Sequence, residues 1–182
     1  MRIIGGTYKG KHIIAPKNLP VRPTTDFAKE GLFNILNNKI DFEGLIVLDL
    51  FCGTGNISLE FASRGAQKIY AIDKHSPCVN FIKDTARTLK LSSIITDRAD
   101  VFKYLEKSHS KFDVIFADPP YELENIAGIH DLVFTHDLLN EDGWLIIEHG
   151  QRTDLSTKQN YIETRKYGNV HFSFFNTVAR HE

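Results

Sequence analysis

Three carboxylates, each closing an apolar run, are the residues of this chain best placed to do chemistry: Asp49, Asp73 and Asp118. The most specific of the three opens the motif Asp118-Pro119-Pro120-Tyr121. Two consecutive prolines remove two backbone donors and stiffen the chain. What is left is an array of acceptors, the Asp118 carboxylate and nearby carbonyls, which suits an exocyclic –NH2. An aryl amine is a poor nucleophile because its lone pair is delocalised into the ring. Holding both hydrogens in acceptors favours a pyramidal nitrogen and turns the lone pair toward an electrophile. Tyr121 would then stack on a base that has left its helix or loop. The plainer alternative is a proline-rich stop to a buried strand, with Tyr121 in the core.

Asp49-Leu50-Phe51-Cys52-Gly53-Thr54-Gly55 follows a strand and opens a helix. Gly53 and Gly55 allow the backbone to approach a ligand with no Cβ in the way. The third glycine of a dinucleotide fingerprint is missing, since Ser58 stands where it would fall, and no Lys-Ser or Lys-Thr follows to make a P-loop. An acid at Asp49 repels pyrophosphate but suits the ammonium of a methionine-like moiety. Asp73 lies 18 residues beyond Gly55. A carboxylate there can accept from both ribose hydroxyls, although alone it reads equally well as a cap or turn residue. Asp100 is open to two roles, contact with an adenine amino group and N-cap of the helix beginning at Val101.

The elements that must position these residues alternate. Leu45–Leu50, Lys68–Ile72, Ile94–Thr96, Phe112–Ala117 and Gly143–Glu148 read as strands. Between them, helices are expected after the glycine turn as far as Gly65, from Ser76-Pro77, over Val101–Lys107 and over roughly 129–139. Such alternation implies an α/β fold with a parallel sheet covered on both faces. Tyr161–Tyr167 and Val170–Val178, split by Gly168-Asn169, signal an antiparallel hairpin on the sheet edge, with Phe172, Phe174 and Phe175 as edge-strand packing. Residues 1–15 read as a β-hairpin around a glycine-rich turn. Arg22-Pro23-Thr24-Thr25-Asp26 is a turn ending in a helix cap, before an apolar stripe from Phe27 to Leu36. The boundary expected is 1–24 for a basic extension and 25–182 for the main domain.

The total of 182 residues, 42% hydrophobic and 25% charged, fits one soluble domain. No run is long enough for a membrane span, and the start lacks a signal peptide's apolar core. Cys52 and Cys78 have no ligand spacing, and none of the eight histidines forms a ligand pair on a helix, so no metal is expected. His149 could line the site but reads better as a surface residue. A reduced, cytoplasmic monomer is the expectation. Net charge is −1, yet residues 1–25 carry Arg2, Lys9, Lys11, Lys17 and Arg22 and no acid, leaving −6 on the rest. Such an arm could find a phosphate backbone, or could be five solvated cations on a hairpin.

The chain resembles the RsmD family, bacterial methyltransferases of 16S ribosomal RNA acting on a guanine N2. The resemblance runs over nearly the whole length. It rests on Arg2-Ile3-Ile4-Gly5-Gly6, Arg22-Pro23-Thr24, Glu30-Gly31-Leu32-Phe33-Asn34-Ile35-Leu36, Asp49 to Gly55, Ser63-Arg64-Gly65-Ala66 and Asp118 to Tyr121. It implies a Rossmann-like, seven-stranded, mostly parallel class I methyltransferase sheet. S-adenosylmethionine would lie against Asp49, Phe51, Cys52, Gly53, Thr54, Gly55, Asn56, Asp73, Lys74, Asp100, Val101 and Thr24. Asp118, Pro119, Pro120 and Tyr121 would grip the guanine amino group, and Arg2, Lys9, Lys11 and Arg22 would help hold RNA. The substrate implied is an assembled or partly built small subunit. Asp73 departs from the family, where Glu is the commoner residue, and shortens the reach to ribose by one methylene. The alternatives are an adenine-N6 or cytosine-N4 methyltransferase and a non-enzymatic nucleotide- or RNA-binding module.

Overall fold

The computed structural model describes residues 1–21 and 24–178. The apolar runs become neighbouring parallel strands: β1 (Ile46–Leu50), β2 (Lys68–Asp73), β3 (Ile94–Arg98), β4 (Phe112–Ala117) and β5 (Leu139–His149). Helices α2 (Asn56–Ser63), α3 (Ser76–Thr88), α4 (Val101–Lys107) and α5 (Ala127–Thr135) connect them in turn, as parallel pairing requires, because a parallel partner is reached only by a crossover. Helix α1 (Asp26–Asn37) precedes the sheet, and β6 (Tyr161–Tyr167) and β7 (Val170–Asn176) follow it as an antiparallel hairpin. The sheet runs β3-β2-β1-β4-β5-β7-β6. From β1 the chain winds outward through β2 to β3, then returns to β4 on the other side. Strand order therefore reverses between β1 and β4, the switch point beyond whose C-terminal strand ends ligands bind in open sheets of this kind.

Period-two alternation sorts the side chains into two layers. Val47, Ile69, Val114, Phe116 and Ile146 pack under α1 and α2. Leu48, Leu50, Ile72, Ile115, Leu145 and Ile147 pack against α4 and α5. The same alternation turns Asp49, two residues after Val47, and Glu148, two after Ile146, toward the side of α1 and α2.

Helix α1 is capped by Thr25, whose hydroxyl accepts from the Ala28 N–H at 3.2 Å. Its buried stripe is Ala28, Leu32, Phe33 and Leu36, with Lys29 buried among them. Helix α3 takes its cap from His75, one residue before the expected Ser76, so that Pro77 occupies its second position. Helix α5 spans Ala127–Thr135 and stops short of 139, because Asp137 turns the chain at φ 50°. Strand β5 then begins at Leu139, earlier than Gly143. The strand absorbs the polar segment Asn140-Glu141-Asp142 in an irregularity where its register with β4 shifts. Strand β7 ends at Asn176, before Val178, and is not an edge: β6 covers its outer side, and Phe172, Phe174 and Phe175 are fully buried core.

The N-terminal arm is held by one antiparallel bridge, Arg2 with His12, and by Ile3 N–H to Lys11 O at 2.9 Å. It is a short hairpin: Ile13 N–H also donates to Met1 O at 2.9 Å and Gly10 N–H to Ile3 O at 2.8 Å, and the pairing ends at Ile3 because the next donors turn to α2. The N–H groups of Ile4 and Gly5 donate to the Glu60 carboxylate of α2, and Thr7 N–H donates to Ser63 O at 2.7 Å. Gly6 sits at φ 74°, where a Cβ would come 1.8 Å from Ser63 O. Only glycine permits that approach. Ile3 and Ile13 then bury against Leu59 and Leu89.

Candidate active site

The chain leaves β1 through a turn with three successive demands on its backbone: Phe51, Gly53 and Gly55 all have positive φ, at 57°, 54° and 78°. Gly55 packs against Ile82, where a Cβ would lie 2.7 Å from the Ile82 side chain. The turn is tied across to β2, since Gly53 N–H donates to Asp73 Oδ2 at 3.0 Å. Asp73 Oδ1 receives the His75 N–H at 2.9 Å. Asp49 is 1% exposed, and its carboxylate accepts the Ser58 hydroxyl at 2.6 Å. Burial pushes its carboxyl up to about 7, against the pull of the Ser58 hydrogen bonds. A buried acid beside tight glycine backbone suits a cationic, hydroxyl-bearing ligand and disfavours a phosphate.

One strand over, Asp118 N–H donates to Leu50 O at 3.2 Å, so the Asp-Pro-Pro-Tyr segment starts beside the glycine turn. The Asp118 side chain is half-buried and accepts no hydrogen bond among the described residues. Burial, then the charges of Glu148 and Asp49, hold its carboxyl well above the usual carboxylate range. Pro119 is buried, Pro120 exposed, and Tyr121 is 44% exposed with its hydroxyl donating to Glu148 Oε1 at 3.0 Å. The register Ala117 with Ile147 puts Glu148 across from Asp118. Glu148 is 4% exposed and raised to about 7, first by burial, with the Tyr121 and Thr24 hydrogen bonds opposing.

Thr24 bridges the two halves. Its hydroxyl donates to Glu148 Oε2 at 3.3 Å, and its carbonyl accepts from Asn56 Nδ2 at 3.1 Å at the end of the glycine turn. Asn56 Oδ1 in turn accepts from Lys29 Nζ at 2.7 Å. Lys29 also pairs with Glu60 at 3.1 Å and donates to Arg2 O at 2.6 Å. The arm, α1, α2 and the glycine turn thus meet at one buried lysine.

The structure brings Asp49, Gly53, Gly55, Asn56, Asp73, Asp118 and Thr24 to neighbouring strand ends. Cys52 and Thr54 are buried in the same turn. Asp100 is the N-cap of α4, accepting from Lys103 N–H at 3.1 Å, with Val101 buried behind it. Lys74 is exposed just past β2, and its carbonyl accepts from Arg98 Nε. Lys9 and Lys11 are exposed on the arm, and Arg2 pairs with Glu30 at 3.3 Å. Arg22 lies outside the described residues. Asp73, His75 and Cys78 offer ligand atoms within 4.8 Å of one another. The Cys78 thiol is raised to about 11, chiefly by burial. His149 corrects the expectation of a surface residue: it is buried, with Nε2 on Ser173 Oγ at 2.7 Å, because β7 covers it.

Sequence reasoning passed over Glu148, Lys29, Glu60 and Gly150. Glu148 had a legible signal, an acid ending the apolar run Leu145-Ile146-Ile147 as Asp118 ends its own. Lys29 had one too, lying three and four residues before Leu32 and Phe33 of the buried stripe.

Residues 1–176 match the model of a family described as conserved hypothetical protein 95. The chain is similar to the ribosomal RNA small subunit methyltransferase D of Escherichia coli strain K12, 32% identical over 81% of this chain and 71% of that one. Among solved structures, a hypothetical protein of Thermus thermophilus superposes with a TM-score of 0.83 at 25% identity, covering 96% of this chain and 98% of that one. A chain solved in complex with SAH superposes at 0.65 over 81% of this chain and 49% of its own length. Its 19% identity makes that a likeness of fold, the class I methyltransferase sheet.

Proposed function

This chain belongs to the RsmD family, described as conserved hypothetical protein 95, and we propose on that premise that it methylates the exocyclic N2 of a specific guanine in 16S ribosomal RNA. S-adenosylmethionine is the cofactor, and the small ribosomal subunit is the partner we assign. When bound, the cofactor supplies a methyl group made electrophilic by its sulfonium. The residues present fit that group: the buried Asp49 and the Asp73 carboxylate flank a tight turn in which Gly53 and Gly55 present backbone with no side chain at positive φ. Asp73 and Asp49 hold hydroxyl and ammonium groups in this reading, and Thr54, Asn56, Asp100 and Val101 border the same ligand.

The observation that carries the reading is the Asp118 carboxylate, half-buried beside the glycine turn with no donor among the described residues. A part-buried acceptor left open among the described residues can take its donor from a bound ligand. An amino group supplies two. Asp118 and adjacent carbonyls accept its hydrogens, turn the nitrogen lone pair toward the methyl donor, and leave positioning to lower most of the barrier. The raised carboxyl of Asp118 then suits it to take the proton released once the nitrogen is methylated. Tyr121 presents a ring for the extracted base to stack on. The basic arm, with Arg2, Lys9 and Lys11 beside α2, adds a salt-sensitive grip on phosphate.

Methyl incorporation measured side by side on duplex DNA, naked 16S RNA and small subunits tests the proposal. Incorporation confined to ribosomal RNA, and strongest on subunits, is expected. Incorporation into DNA would favour the N6 or N4 alternative. A binding module without activity would incorporate nothing, and if it bound no cofactor it would show no rise in melting temperature when S-adenosylmethionine is added.

A further inference from the structure

Tyr121 is fixed at two points although nearly half of it faces solvent. Its hydroxyl reaches Glu148 Oε1, and its ring lies against Gly150, where a Cβ would stand 3.0 Å from Tyr121 Cδ2. Both contacts come from the end of β5. An exposed tyrosine gains little from burial, and freezing its side chain costs conformational entropy, so a double anchor argues for a required orientation. Glu148 is an expensive anchor. It is buried across from Asp118, a second carboxylate, and like charges side by side raise each other's proton affinity. A neutral side chain at 148 would spare that repulsion. The other oxygen of Glu148 accepts the Thr24 hydroxyl, and Thr24 holds Asn56 of the cofactor turn through its carbonyl.

We propose that Glu148 is a positioning residue of the methyl transfer: by accepting from Tyr121 and Thr24 at once, it sets the aromatic face beside Asp118 and ties that face to the cofactor turn. The proposal rests on the reading that Asp118 to Tyr121 receive the base. Glu148 itself meets neither base nor methyl group; it acts through Tyr121. Losing the clasp therefore lowers the turnover of bound substrate more than substrate or cofactor binding.

Initial rates on small subunits with S-adenosylmethionine, for the wild type, Glu148→Gln, Tyr121→Phe and the double variant, test this. Each single variant is expected to lose kcat by roughly ten- to a hundredfold, the scale on which a displacement of about 1 Å acts, with KM for subunits and cofactor affinity changed less than about threefold. The two lesions act on one hydrogen bond, so the double variant should be no slower than the slower single. Wild-type kcat in either single variant, or losses that multiply in the double, would overturn the proposal. If Glu148→Gln failed to fold, Tyr121→Phe, which removes one hydroxyl from a part-exposed ring, would still decide it by retaining or losing kcat. Wild-type rates in Asp118→Ala and Tyr121→Ala would instead sink the underlying reading.

Discussion

The ammonium of Lys29 lies 3.1 Å from Glu60 Oε2, and neither side chain has any exposed surface. Glu60 also accepts from the backbone of Ile4 and Gly5 and from Arg64 Nε, while Lys29 donates to Arg2 O and Asn56 Oδ1. A buried pair of this kind does not by itself stabilise a fold strongly, because desolvation offsets the attraction. Its value lies in where it points: the arm and the glycine turn are fastened to the same two charges.

Lys29→Met should therefore cost more than removal of a surface ion pair. It takes from the buried Glu60 one of its two charged partners, leaving Arg64; breaking a buried pair costs up to about 3–5 kcal/mol. Urea unfolding should show that loss, together with weaker cofactor binding through the released Asn56. A change under about 1 kcal/mol, the scale of an exposed pair, would contradict the assignment of Lys29 as a node.

Asp49 sets a pH dependence whose sign is fixed. Burial raises its carboxyl to about 7 in the folded chain, against about 3.9 unfolded. Between those values the folded state holds a proton that the unfolded state has released, so this residue's contribution to stability falls as pH rises. Asp49→Asn removes the titration, and its melting temperature relative to the wild type should climb from pH 5 to pH 8. The wild type should bind the cationic cofactor more tightly as pH rises through that range, and the variant should not. A melting-temperature difference that stays flat with pH would contradict this.

Lys9→Glu with Lys11→Glu should leave the unfolding midpoint and cofactor affinity near wild type, since both side chains are exposed. Affinity for small subunits should fall, and the slope of log affinity against log salt should shrink by about one for each phosphate no longer neutralised. Unchanged affinity and slope would return the arm to mere solvated decoration.

Gly6→Ala should undock the arm. The new Cβ would meet Ser63 O at 1.8 Å in a backbone region at φ 74°, a strained geometry costing at least about 1–3 kcal/mol. Limited proteolysis should cut within residues 1–15 faster in the variant. Equal cleavage would show that the arm tolerates the side chain.

What could be read in the sequence was what neighbours along the chain decide. The apolar run Phe112–Ala117 and the cap-and-stripe of Val101–Lys107 carry their own boundaries, and both appear unchanged as β4 and α4. Asp49, Asp73 and Asp118 could be put at strand ends for the same reason. The Tyr121, Thr24 and Glu148 clasp could not, because its partners lie 27 and 124 residues apart in the chain and meet only through strand order. His149 read as a surface residue because nothing local reveals that β7, its partner at His171, covers its strand. The arm read as a ladder because its two β-branched runs match. The pairing of Met1 with Ile13 and of Ile3 with Lys11 follows that match, whereas the donors of Ile4 and Tyr8 found Glu60 and Ser63 across the fold, which no local pattern reveals.

The identity of the methylated nucleoside tests the central claim most directly. Small subunits lacking the modification are incubated with the protein and S-adenosylmethionine, the 16S RNA is digested, and its nucleosides are resolved by mass spectrometry. N2-methylguanosine is expected with the wild type. It should fall to background with Asp118→Ala, while that variant keeps its cofactor-induced rise in melting temperature. N6-methyladenosine or N4-methylcytidine in its place, or undiminished N2-methylguanosine from Asp118→Ala, would contradict the account.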